Sequence, residues 1–176
     1  MKILITGPQG SGKTTQAKLL AEFLEVPLID SGEILRRLAG TETEDGRRVK
    51  EALDSGLMAP DEVVGKMVSE RVGEPNCRNG FVMDGYPRTL AQKQVFDPKF
   101  DRVFYLEIND EEVRARLKER GRADDTPELI EKRLSLYHQL TEPVLGYYQD
   151  LGILTRIDGS KEIDLVQAAI RSELDG

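Results

Sequence analysis

Gly7-Pro8-Gln9-Gly10-Ser11-Gly12-Lys13-Thr14 is the stretch that decides the fold. Before it stands the aliphatic run Ile3-Leu4-Ile5. After it, from Lys13 to Leu24, Ala17, Leu20, Ala21 and Leu24 recur at i, i+3, i+4 and i+7. The run reads as a buried strand and the longer segment as an amphipathic helix. The eight residues match G-x-x-x-x-G-K-[ST] in the strand-to-helix setting where that pattern cradles phosphate. Glycines let successive backbone N–H groups turn inward onto an anion. The helix N-terminus adds about half a positive charge. Lys13 supplies a cation for outer phosphates and Thr14 a hydroxyl for Mg²⁺.

Outward from this loop, short β-branched or aliphatic runs alternate with helical patterns. Val26 to Ile29, Phe81-Val82-Met83, Val103 to Ile108 and Leu154 to Ile157 read as strands. Val49, Ala52 and Leu53 share a helical face, as do Val64, Met67 and Val68. Asn109 with Glu112 has the form of a capping box. Thr126-Pro127 starts a further helix with Ile130, Leu134 and Tyr137 on its apolar stripe, and Pro143 should kink or end it. Ile163 to Leu174 closes the chain as a helix, while 40–46 (GTETEDG) and 121–126 (GRADDT) read as loops. Strand, helix, strand in repetition predicts an α/β protein of three layers, a five-stranded parallel sheet flanked by helices. Ligands in such folds bind at the carboxyl ends of the strands. Asp84 ends the third apolar run, where an acid beside a phosphate loop holds Mg²⁺ directly or through water.

The 176 residues suit one domain, and 25 basic against 32 acidic residues give a net charge of −7. That balance disfavours nucleic acid or a membrane surface as partner. The longest stretch without Asp, Glu, Lys or Arg, Ile3 to Gly12, is too short to span a bilayer, and the few apolar residues before Gly7 are too few for a signal peptide. One cysteine, Cys77, excludes an internal disulfide framework and a zinc knot of several cysteines, and fits a cytoplasmic location. No heptad seam or long apolar edge suggests a second subunit, so a monomer is expected.

The loop alone also occurs in GTPases, motors and transporters. No N-K-x-D guanine signature follows it. Instead come Asp84-Gly85-Tyr86-Pro87-Arg88-Thr89 with Gln92, Asp30-Ser31-Gly32-Glu33-Ile34-Leu35-Arg36 upstream, and Gly121-Arg122-Ala123-Asp124-Asp125, Arg133-Leu134, Tyr137-His138-Gln139-Leu140-Thr141 and Tyr147-Tyr148 downstream. From Met1 to about Gly159 the chain resembles the adenylate kinases, within the nucleoside monophosphate kinases. The resemblance implies reversible transfer of the γ-phosphoryl of Mg-ATP to AMP, giving two ADP. It implies a single kinase domain, 1–176, with a core (1–29, 60–120, 127–176), an AMP-binding segment (30–59) and a short lid loop (121–126).

Carried over by position, the resemblance assigns Gly10, Ser11, Gly12, Lys13, Thr14, Thr15, Arg116, Arg120 and Gly159 to ATP. It assigns Ser31, Gly32, Arg36, Leu57, Met58, Ala59, Gly85, Arg88 and Gln92 to AMP, with Gln92 reading the adenine edge. Lys13, Arg88, Arg122 and Arg133 are the expected catalytic cations, Thr14 and Asp84 the Mg²⁺ side, and Asp124 and Asp125 the anchors of the lid arginines. The chemistry agrees with these assignments. A phosphate monoester acceptor is already ionised at neutral pH, so charge and alignment form the barrier and no general base is needed. Arginine suits that demand because its planar fork binds phosphate oxygens in pairs. An isolated arginine is ordinarily a solvated surface group; the motif context reverses that reading for Arg36, Arg88, Arg122 and Arg133. His138, the only histidine, is expected to pack or cap rather than to act as a base.

The short lid and lone Cys77 resemble the form without a lid zinc. Glu33, Tyr86 and Pro60 stand where Asp, Phe and Thr are common. The runner-up is a UMP/CMP or broad-specificity kinase of the same fold, against which Ser31 and Gln92 favour AMP. A nucleotide sensor without turnover, or an ATPase motor, fits the set of transfer residues less well.

Overall fold

The computed structural model describes residues 1–121 and 125–174. Its centre is a sheet of β1 (Lys2–Thr6), β2 (Leu28–Asp30), β3 (Phe81–Asp84), β4 (Arg102–Glu107) and β5 (Leu154–Asp158). All pairings are parallel, in the order β2-β3-β1-β4-β5. The helices are α1 (Lys13–Leu24), α2 (Ser31–Ala39), α3 (Glu44–Asp54), α4 (Asp61–Val72), α5 (Leu90–Val95), α6 (Asp110–Arg120), α7 (Pro127–Leu136), α8 (Glu142–Asp150) and α9 (Ile163–Ser172). Among the described residues no helix is long and apolar enough to cross a membrane.

Side chains alternate across a strand, and β1 divides the core accordingly. Ile3 and Ile5 pack with Val82, Phe104, the α1 residues Ala17 and Leu20, and Val166 and Ile170 of α9. Leu4 belongs to the opposite layer, with Met83, Val103, Val64 and Val68 of α4, and Val144 and Tyr148 of α8. Both faces being covered explains why the strands read as continuous apolar runs. The register then sets the functional edge: Ile5 lies opposite Asp84, and Asp84 opposite Asp30. Two carboxylates therefore emerge side by side next to the loop that follows β1.

Several local expectations shift by a few residues. The second strand is Leu28–Asp30 rather than Val26 to Ile29, because Val26 N–H still caps α1 by donating to the Ala21 carbonyl. The polar stretch 40–46 is only partly loop. Thr43 Oγ1 accepts from Gly46 N–H at 3.0 Å and starts α3 at Glu44. Composition hid this start, since an N-cap followed by acids is itself polar. Helix α2 was not expected from the sequence pattern; Asp30 Oδ1 caps it, accepting from Glu33 N–H at 3.0 Å.

Pro143 does not end the helical path. A π-turn over Tyr137–Thr141 joins α7 to α8, with Glu142 N–H donating to the Tyr137 carbonyl five residues back. Pro143 then sits in the first turn of α8, where a missing N–H is tolerated. The capping box at Asn109 is half formed: Asn109 Oδ1 accepts from Glu112 N–H at 2.8 Å, but the Glu112 carboxylate turns to Arg116 Nε, also at 2.8 Å. Replacing Asn109 with Ala should cost about 1 kcal/mol, because one N–H of α6 loses its acceptor. Urea denaturation checks this, and an unchanged midpoint would contradict the cap.

Candidate active site

The loop after β1 turns on two glycines, Gly10 at φ +82° and Gly12 at φ +85°. This left-handed region is strained for other residues, which is why the motif needs glycine there. Ser11 N–H donates to the Pro8 carbonyl at 3.2 Å, closing the turn, and Gln16 N–H donates to the Gly12 carbonyl at 3.0 Å as α1 begins. Lys13 Nζ folds back and donates to the Pro8 carbonyl at 3.3 Å. Burial pushes its pKa down to about 8; Asp84 works against that shift, while Arg88 and Arg120 add to it.

Asp84, at the end of β3, is buried. Its Oδ2 accepts from the Thr14 hydroxyl, and its Oδ1 is buried with no hydrogen-bond partner among the described residues. A hydroxyl and a carboxylate with spare lone pairs are hard oxygen donors, the set Mg²⁺ takes beside phosphates and water. Thr14 and Asp84 therefore fit the metal that the resemblance implies.

Arg88 follows β3 in a loop that contains the cis peptide Tyr86–Pro87. Its Nε–H donates to the Gly85 carbonyl at 2.9 Å, and burial lowers its pKa. Its backbone N–H donates to Gln92 Oε1 at 2.8 Å, so the Gln92 carbonyl oxygen is already engaged. Ser31 Oγ donates to the Asp84 carbonyl at 2.9 Å and ties α2 to β3. Arg36, one turn further along α2, lies 3.7 Å from Asp30 and is exposed. The Tyr86 hydroxyl, present where Phe is common, meets the Gln92 and Phe96 carbonyls, each at 2.7 Å.

On the other side, Arg120 Nε and Nη2 grip Asp125 at 2.9 and 2.6 Å, and Arg133 Nη1 lies 3.5 Å from the same carboxylate. Asp125 thus anchors two of the expected arginines. Arg122 and Asp124 lie outside the described residues. Arg116 acts as a clamp: Nη1 donates to the Gly159 carbonyl at 3.0 Å and to Gly10 at 3.4 Å, and Nη2 to Ser160 at 3.2 Å. Gly159 is packed so closely that a Cβ would come within 2.8 Å of Ile108 Cγ2.

Many of these groups line one cavity of 780 Å³. Lys13, Thr14, Thr15, Asp30, Gly32, Arg36, Asp84, Gly85, Arg88, Arg120 and Arg133 line it with Leu57 and Met58, and Leu35, Leu53, Val113, Leu117, Ile130 and Leu134 give it apolar walls. Gly10, Ser11, Gly12, Ser31, Ala59, Gln92, Arg116 and Gly159 stand outside that lining. Lys50, Tyr137 and Thr141 line it too, although none of them was given a site role from sequence. Thr141 lies inside the quoted YHQLT segment, but only the fold brings it to Arg88. Lys132 Nζ on α7 donates to the Ser55 carbonyl at the end of α3 at 2.6 Å. His138 lies away from the lining, between Asp110 at 3.1 Å and Glu142 at 2.7 Å. These acceptors raise its pKa, Glu142 most, consistent with a structural role.

Comparison with known proteins adds an independent line. The family model described as adenylate kinase matches residues 5–153. The adenylate kinase of Chelativorans sp. (strain BNC1) is 38% identical over 191 aligned positions, covering 99% of this chain and 98% of that protein. That of Bifidobacterium longum (strain NCC 2705) is 40% identical, over 99% and 100%. That of Pseudarthrobacter chlorophenolicus is 44% identical, over 94% and 92%. Matches running the length of both partners leave the phosphate loop, the Asp84-to-Arg88 turn and the arginine-lined cavity in one homologous frame, and the chain belongs to the adenylate kinase family.

Proposed function

We propose that the protein catalyses reversible transfer of the γ-phosphoryl group of Mg-ATP to AMP, giving two ADP. The observation that carries this reading is that one cavity is lined both by the phosphate loop and by two arginines, Arg36 and Arg88. A donor phosphate on Lys13 and an acceptor phosphate on Arg88 would face each other without leaving it. Family membership supports the same reaction.

In this reading the backbone N–H groups of Gly10, Ser11 and Gly12, with Lys13 and Thr15, hold the ATP phosphates. Arg116 and Gly159 border its base. Arg36 and Arg88 take the AMP phosphate, and Gly32, Gly85, Leu57, Met58 and Ala59 shape the space for the nucleoside, with Ser31 and Gln92 behind them. Arg120, Arg122 and Arg133 close around the transferring group. Thr14 and Asp84 would hold Mg²⁺, which when bound would supply positive charge to the donor phosphate oxygens. The protein's task is to bring two polyanions together in line and to exclude water. Lys13 and the arginines offset the repulsion, and the apolar walls strengthen each contact by keeping the local dielectric low. The acceptor oxygen needs no general base, consistent with His138 lying outside the lining. The AMP-binding segment 30–59 and the lid 121–126 are taken as the parts that close over substrate. The buried free thiol of Cys77 accords with a cytoplasmic enzyme, and we take it to act as a monomer.

Rates with AMP, CMP, UMP and GMP as acceptors for ATP test the substrate. AMP should lead by a wide margin, and equal or faster turnover of CMP would overturn the AMP assignment. Lys13→Ala should lower kcat by at least about a hundredfold, the scale seen when one preorganised charge-stabilising donor is lost, with the melting temperature retained. Wild-type turnover would contradict the loop's role.

Protonation gives a further check. Free Lys13, with a pKa of about 8, is largely neutral at pH 9. Bound phosphate favours the charged form and raises that pKa, so Mg-ATP binding at pH 9 should take up close to about one proton. Uptake should be smaller at pH 7, where Lys13 is already charged. Calorimetry in buffers of different ionisation enthalpy reads this directly; heats independent of buffer at pH 9 would contradict it.

A further inference from the structure

Arg88 occupies a loop, so neither a helix nor a sheet ladder holds its backbone, yet backbone groups at a buried site need partners. Two buried side chains supply them. From α5, Gln92 Oε1 accepts the Arg88 N–H at 2.8 Å. From the π-turn, the Thr141 hydroxyl donates to the Arg88 carbonyl at 2.9 Å. Gln92 is 3% exposed and Thr141 also 3%. With the Nε–H bond to Gly85, the Arg88 residue is pinned at three points.

We propose that Thr141 is a positioning residue for the acceptor phosphate, acting through the Arg88 carbonyl. This rests on the reading of Arg88 as the AMP-phosphate arginine. A hydroxyl has one proton, and Thr141 gives it to Arg88, so its effect on catalysis is transmitted rather than direct. The π-turn makes the contact possible. The five-residue return from Glu142 N–H to the Tyr137 carbonyl inserts extra backbone before α8, and Thr141 ends that insertion facing the 85–89 loop. π-turns of this kind recur at functional sites. Removing the hydroxyl leaves a buried carbonyl unsatisfied and frees the loop to shift, and a guanidinium displaced by about 1 Å loses alignment with a phosphate.

The test compares Thr141→Val, of nearly equal volume, with Thr141→Ser, which keeps the hydroxyl. Steady-state kinetics are run well below each variant's melting temperature, varying AMP and ATP separately. Thr141→Val should lower kcat/KM for AMP by about tenfold, the scale of one lost buried hydrogen bond. KM for ATP should stay within about twofold, and Thr141→Ser should recover most of the loss. The positioning role is overturned if Thr141→Val keeps the wild-type kcat/KM for AMP. It is equally overturned if AMP and ATP constants deteriorate together, or if Thr141→Ser is as impaired as Thr141→Val. Wild-type enzyme inactive with AMP would instead overturn the proposed reaction, so the two failures are distinguishable.

Discussion

Like-charge crowding governs this molecule. Among the described residues six cations, Lys13, Arg36, Lys50, Arg88, Arg120 and Arg133, line one cavity, and in water such a cluster would spread apart. The fold holds it with carboxylates set among the cations. Asp30 lies beside Arg36, Asp84 offsets Lys13 and Arg88, and Asp125 lies between Arg120 and Arg133. Burial lowers the Lys13 pKa, and Asp84 opposes that shift while Arg88 and Arg120 add to it. An incompletely neutralised, half-dry cluster favours an arriving polyanion, because the phosphate supplies what the carboxylates do not.

The sheet register makes that arrangement possible. Parallel pairing of β2, β3 and β1 brings Asp30 and Asp84 level with the start of the phosphate loop. Arg116 then ties the loop to the segment after β5 by donating to the Gly10 and Gly159 carbonyls. The loop is thus braced from both sides of the sheet before any ligand arrives. A preorganised site spends less of its binding free energy on ordering itself.

The elements that move least from expectation are those whose signals are local. Helix α1 begins and ends where the spacing of Ala17, Leu20, Ala21 and Leu24 requires. Thr126 caps α7 as its sequence suggests. The start of α3 was harder to read because Thr43, Glu44 and Asp45 have the composition of a loop as well as of a capped first turn. The π-turn was harder still. Pro143 signals only that an N–H is missing; whether the helix breaks, kinks or takes an extra residue depends on what Tyr137, Thr141 and Tyr148 find to pack against.

The sequence by itself determined the phosphate loop, the α/β alternation and the identity of the charged residues, because glycine spacing, apolar period and motif order are properties of the chain. It did not determine which of those residues line the cavity and which brace it. Gln92 and Arg116, which the resemblance assigns to nucleotide, also bond protein backbone, and Thr141, distant in sequence, reaches Arg88; none of these three contacts could be read from the sequence. The physical reason is that a hydrogen bond of a loop residue to a remote side chain leaves no periodic trace. It exists only after the sheet register and the π-turn have brought the two segments together.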